Sequence, residues 1–176
     1  YKFFNLKNKT MKLLMKFEDI DIKTLTIEKS IKNSFDIKFN NKHIEFWTPE
    51  LHVPFGLENK FNNYFINLEI TDNVYAKLFE YFIETFESKL IELLNIPKEQ
   101  FNSQLRYTDN NNILYTKVYQ HYKKIITNVK SKGGENMNLF NIDKDCDVCV
   151  NLMVDKLWFI NNMYYYKFKL KDIIVQ

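Results

Sequence analysis

Glycine and proline are scarce in this chain, with three of each in 176 residues. Arginine and alanine occur once each, as Arg106 and Ala76. Cysteine occurs twice, as Cys146 and Cys149, and histidine three times. Each shortage excludes something. The glycines form no GxGxxG or GxxxxGK[ST] phosphate cradle, and no GxSxG nucleophile elbow. One CxxC without a second pair does not complete a four-ligand zinc site. The pair also sits in a strand-like run (Val148, Val150, Leu152, Val154), where an offset of three sends two thiols to opposite faces. No apolar run approaches the ~18 residues of a bilayer-crossing helix. The Lys-rich stretch 1–17 has no continuous apolar segment of the secretory kind. With no such signal, two cysteines fit a reducing compartment.

What is abundant is lysine, asparagine, isoleucine, phenylalanine and tyrosine, at 24, 22, 18, 16 and 11 residues. These residues have AT-rich codons, so the composition fits an AT-rich genome and lysine abundance alone says little. The arrangement of charge says more. Residues 1–17, 110–134 and 156–171 hold 14 of the 25 basic residues and none of the 22 acids. Codon bias does not segregate charge. A basic groove on an acidic body would do so, as would three unrelated solvated faces. The chain opens on Tyr1, so residues 1–16 are read as a basic extension, with Met11 an alternative start. Residues 17–176 are long enough for one domain with a real core.

Periodicity gives the elements. Strands are expected around Ile20–Ile27, at Phe35, Ile37 and Phe39, and from His43 to Trp47, with Asn40-Asn41 as a hairpin turn. Thr48-Pro49-Glu50-Leu51-His52-Val53-Pro54-Phe55-Gly56 holds two of the prolines and one glycine. It reads as a stiff loop that braces the fold through a buried Phe55. Tyr64, Ile66, Leu68 and Ile70 form another strand. Thr71-Asp72-Asn73 then supplies cap residues for a helix whose apolar face is Tyr75, Phe79, Phe82, Phe86, Leu90 and Leu93. Pro97 opens a second short helix through Leu105. Later strands are expected at Ile113–Tyr119, Ile125–Lys130, Met137–Ile142, Cys146–Val154, Leu157–Ile160 and Tyr164–Val175, with a turn at Asn161-Asn162. Strands, one long helix, then strands make an α+β fold dominated by antiparallel sheet.

Candidate chemistry is limited. Glu80, Glu84 and Glu87 share a helix face and could serve a metal-dependent nuclease, but without histidine they read as a solvated acidic face. Lysine interleaved with aromatics is the stronger pattern. On the last strand, Tyr164, Tyr166, Phe168 and Leu170 share a core face, while Tyr165, Lys167, Lys169 and Lys171 share the other. Residues 113–130 repeat the theme with Tyr115, Tyr119 and Tyr122. Single-strand binders combine such a cationic track with aromatic platforms.

Two separated motifs add a resemblance. The Thr-Pro-x-x-x-Val-Pro-Phe-Gly loop, followed by the acidic helix and a closing Leu157-Trp158-Phe159 hairpin with Tyr166-Lys167-Phe168-Lys169, resembles the single-stranded-DNA-binding proteins of nucleocytoplasmic large DNA viruses. The likeness runs from about Ile37 to Val175. It implies an elaborated OB-like barrel with the long amphipathic helix inserted between strand groups. It also implies a role in viral DNA replication, repair or packaging, in the host cytoplasm, the viral factory or the virion.

Together these features point to a non-enzymatic, sequence-independent single-stranded DNA binder, with RNA left open. Phosphates would be held by Lys117, Lys123, Lys124, Lys130, Lys132, Lys167, Lys169 and Lys171. Bases would stack on Trp47, Tyr115, Tyr119, Trp158 and Tyr165. No cofactor, metal or membrane is expected, and viral replication proteins are further partners. The alternative is a virion or replication-complex module whose basic segments meet an acidic protein.

Overall fold

The computed structural model describes residues 15–109 and 111–176; most of the expected basic extension lies outside them. Seven strands precede the helix: β1 (Leu25–Lys29), β2 (Ser34–Phe39), β3 (Ile44–Trp47), β4 (Leu51–Val53), β5 (Leu57–Lys60), β6 (Asn63–Ile66) and β7 (Leu68–Ile70). Helix α1 spans Val74–Leu94. Short strands follow: β8 (Phe101–Asn102), β9 (Leu105–Tyr107), β10 (Asn112–Leu114), β11 (Thr116–Val118), β12 (Gln120–His121), β13 (Lys124–Ile125) and β14 (Asn128–Ser131). The chain closes with β15 (Cys146–Val154), β16 (Lys156–Ile160), β17 (Met163–Tyr166) and β18 (Phe168–Val175). The fold is α+β, as the periodicity indicates.

The last four strands form one long hairpin that serves two sheets. β15 pairs with β18 in the larger sheet, and β16 pairs with β17 in a five-stranded sheet ordered β1-β2-β16-β17-β8. The bend falls at Asp155 and Lys167, where the Asp155 carbonyl accepts from the Ile37 N–H at 3.0 Å. In the larger sheet β15 carries β3 and β4 on its other edge, while β18 carries β11 and β14 in parallel register. The sheets are mixed, with β8, β11 and β14 each pairing parallel to one neighbour, and they do not close into one continuous barrel.

Helix α1 starts where Asn73 accepts the Ala76 N–H at 2.7 Å, a side-chain cap on an otherwise orphaned donor. It stops where Asn95 takes a left-handed conformation, φ 51°. Phe79, Phe82, Phe86 and Leu90 are buried, as the 3–4 spacing requires, whereas Tyr75 at the helix entry is exposed. Phe82 meets Phe46 of β3 edge-on at 5.2 Å, and Phe86 lies 6.1 Å from Phe168 and 5.9 Å from Tyr166. Burying one such ring contributes roughly 1.5–3 kcal/mol.

Of the three helix glutamates only Glu84 is solvated. Glu87 is buried and accepts from the Tyr166 hydroxyl at 2.6 Å and the Gln104 N–H at 2.8 Å. Glu80 is buried against Lys77 at 3.0 Å and the Asn112 side-chain amide, and exposed Glu84 accepts from Tyr107. Each carboxylate ties α1 to the chain between Gln104 and Asn112 or to the final hairpin. Among the described residues no cluster of three metal-ligating side chains exists.

Other expectations change as well. Leu51–Val53 is a strand within the Pro/Gly stretch, because Leu51 and Val53 are buried and pair with β15. Phe55 is 61% exposed: β4 ends at Val53, and the bend that follows turns the ring outward. Gly56 is the buried member of that bend, at φ +68°, where a Cβ would meet the Lys144 nitrogen at 3.2 Å. The segment also lies at the Asp145 and Asp147 end of β15, opposite Val53 and His52, while Lys169 pairs with Met153 near the other end of that strand. The second helix is a single 3-10 turn, Lys98–Gln100, because Phe101 and Leu105 enter the core from strands. Met137–Ile142 likewise forms a 3-10 turn, Leu139–Asn141, capped by Asn138. Asn40-Asn41 does turn the chain through left-handed angles, but β2 and β3 share only the Phe39–Lys42 bridge before joining different sheets.

Glu87→Ala leaves the Tyr166 hydroxyl and the Gln104 amide without their acceptor, and is expected to cost about 2–5 kcal/mol in urea unfolding. Tyr166→Phe removes one of the two bonds and is expected to cost about 1–2 kcal/mol.

Candidate nucleic-acid interface

The lysine face is built by strand alternation. On β11, Thr116 and Val118 are buried, so Tyr115, Lys117 and Tyr119 share the outer side. The Thr116 hydroxyl donates to the Ile66 carbonyl, anchoring β11 to β6 from beneath. From the end of β17 into β18, Tyr166, Phe168 and Leu170 are buried and Lys167 and Lys169 point outward. Parallel register then sets Lys117 beside Lys169, and antiparallel register sets Lys117 beside Phe65 of β6. The row continues from Lys169 to Met153 and on to Glu45. Two of the acid-free basic segments therefore meet as neighbouring strands.

Aromatic rings lie under the cations. The Lys167 ammonium is 5.4 Å from the Phe65 ring centre, and the Lys169 ammonium is 5.6 Å from the Tyr119 ring centre. Some charges are answered locally: Lys169 pairs with Asp155 and Lys171 with Glu45, each at 2.7 Å. Lys117 is pushed below the ordinary lysine value of 10.5, first by burial, then by Lys167 and Lys169. A phosphate bound here would meet a desolvated cluster of like charge that its own charge relieves.

The structure brings Tyr115, Lys117, Tyr119, Lys167 and Lys169 onto one face. Lys123 and Lys124 lie on the β12–β13 hairpin, which continues directly from β11 and is tied back by the Ile126 N–H to the Tyr119 carbonyl at 2.8 Å. Lys130 lies on β14 in register with Ile174, and Lys132 lies in the turn beyond it. Lys171 sits at the β15–β18 register shift, with Glu45 across from it. Trp47 lies on the outer side of β3, two residues past Glu45 and opposite Asn151, and is half-buried. Trp158 and Tyr165 form a cross-strand pair on the five-stranded sheet, apart from the lysine row.

Two contributors escape the sequence reading. Phe65 is the out-of-phase aromatic of the Tyr64–Ile70 strand, and its position among polar residues on the Asn67–Glu69 side was the available signal. Lys60 lies on the other strand of the β5–β6 hairpin and pairs with Glu58, the residue opposite Phe65, at 2.7 Å. β6 lies next to β11 and β5 beyond it, an order that only the pairing reveals.

No family model and no curated protein matches the sequence. Among solved structures, the chain resembles the single-stranded DNA-binding protein from bacteriophage Enc34 at TM-score 0.54 and 11% identity, over 86% of this chain and 88% of that one. A C-terminal truncation of the phage protein gives the same score over 88% and 95%, and its complex with ssDNA over 86% and 94%. At that identity the likeness is one of fold, and it places the chain among OB-like architectures.

Because the folded environment disfavours the cationic form of Lys117, its charge opposes folding at neutral pH. That opposition is relieved as pH rises from the depressed value to 10.5, where the unfolded side chain loses its proton too. Lys167→Ala removes one repulsive neighbour, so Lys117 should titrate closer to 10.5 in side-chain carbon NMR. Stability at pH 7 should rise by a few tenths of a kcal/mol, about the size usual for surface charge changes.

Proposed function

We propose that the chain binds single-stranded DNA without sequence preference and is not an enzyme. One observation carries this reading: residues 110–134 and 156–171 meet at the β11–β18 pairing, with Lys117, Lys167 and Lys169 beside Phe65, Tyr115 and Tyr119. Such a face can hold the sugar-phosphate track and stack bases, each stacked base contributing ~1–3 kcal/mol. Lys123, Lys124, Lys130, Lys132 and Lys171 would extend the track along the β12–β13 hairpin, β14 and the adjoining part of β18. The fold shared with the single-stranded DNA-binding protein from bacteriophage Enc34 supports the same reading. A place in the replication, repair or packaging of a large DNA virus rests on the resemblance of the Thr48–Gly56 and Leu157–Lys169 motifs alone.

Binding to labelled oligo-dT should fall with salt. Contacts from Lys117, Lys123, Lys124, Lys167 and Lys169 predict a slope of about −3.5, at ~0.7 per phosphate on a single strand. Lys117→Ala and Lys167→Ala should each flatten that slope by roughly 0.7. No binding near ~50 mM salt, or tighter binding to duplex than to single strand, would overturn the proposal.

A further inference from the structure

Four two-residue turns among the described residues have both members in the left-handed region: Asn40-Asn41, Phe61-Asn62, Tyr122-Lys123 and Asn161-Asn162. Each closes an antiparallel pair. Asparagine tolerates these angles, whereas a bulky residue there is an outlier. Two of the turns use Asn-Asn. The other two begin with an aromatic residue, Phe61 at φ 54° and Tyr122 at φ 47°. Those rings gain almost no burial from folding, since Phe61 is 99% exposed and Tyr122 is 92% exposed. The chain has thus placed two large rings in water, at strained positions where it elsewhere uses asparagine. Strain of this kind is retained where something other than the fold needs it.

The two tips are neighbours. β6 and β11 are paired strands, and the Gln120 side-chain amide donates to the Asn62 carbonyl at 3.2 Å. The His121 ring stands edge-on to Tyr122 at 4.3 Å, which orients the tyrosine. Lys123 and Lys124 are exposed beside it, and no acid occurs between residues 110 and 134. Both hairpins spring from the strands that carry Phe65 and Lys117.

We propose that Phe61 and Tyr122 form a base-stacking site that carries a single strand off the sheet face and across the paired hairpin tips. Unstacked nucleobases are the ligand, and Lys123 and Lys124 hold the flanking phosphates. The proposal rests on the single-stranded DNA reading above and adds two contacts to it.

The test uses Phe61→Asn and Tyr122→Asn, which install the residue the other two turns already carry. Both variants should melt at or above the wild-type temperature. Each should weaken binding to a long labelled oligo-dT by about tenfold, in line with loss of one stacked base. The salt slope should stay at its wild-type value, because no phosphate contact is removed. Should an Asn variant lose stability, Phe61→Trp with Tyr122→Trp decides: retained binding supports stacking, and a loss equal to that of the Asn pair overturns it. Unchanged affinity in the double Asn variant, with the wild type binding normally, overturns the tip site and leaves the sheet face standing. A weaker affinity with a flatter salt slope also overturns it, since the lost contacts would be electrostatic. A wild type that fails to bind overturns both readings.

Discussion

The long hairpin from Cys146 to Val175 is the constraint on which the rest of the structure depends. It bends at Asp155 and Lys167, so each of its strands serves one sheet and then the other. Its inner residues, Val154, Leu157, Tyr166 and Phe168, all enter one core. That core receives the phenylalanine face of α1, and the buried Glu87–Tyr166 hydrogen bond fixes where the helix sits along the hairpin. A buried carboxylate is tolerated because donors from two separate segments satisfy it. The same bend turns Lys167 outward and leaves Lys169 next to β11. Fold and candidate site are consequences of one pairing.

The lysine face shows how charge is distributed against stability. Lys169 and Lys171 are balanced by Asp155 and Glu45, and these pairs hold the β15–β18 region together. Lys117 instead sits part-buried beside Lys169 and feels the charge of Lys167 as well. A fold optimised only for stability would separate these cations. The local conflict is confined to one row of the sheet, with aromatic rings beneath it. The exposed rings at the Phe61 and Tyr122 turns repeat this pattern in backbone terms.

Much of the fold is legible in the sequence where one physical signal dominates. The 3–4 spacing of Phe79, Phe82, Phe86 and Leu90 marks the helix, and Asn73 marks its start. The period of two from Tyr164 to Leu170 sorts core from surface correctly. The Asn-Asn pairs at 40–41 and 161–162 turn as asparagine's tolerance of positive φ suggests. Signals fail where tertiary contacts override local preference. Prolines at 49 and 54 disguise β4, a three-residue strand held by its neighbours. Pro97 suggests a helix, yet Phe101 and Leu105 gain more by entering the core as strands. Tyr122-Lys123 is a turn with no turn-forming residue, and at Phe61-Asn62 only the asparagine gives a signal.

The sequence by itself determined the α+β class, the helix, the central hairpin and the segregation of lysines from acids. Those features follow from periodicity and charge order, which are local along the chain. Only the tertiary structure decided that β11 lies parallel to β18, that Lys117 meets Lys167 and Lys169, and that Trp158 and Tyr165 lie on another sheet. It also decided that Glu80 and Glu87 are buried ties. The physical reason is common to all of these: strand pairing and burial join residues far apart in sequence, and no periodicity within either segment records its partner.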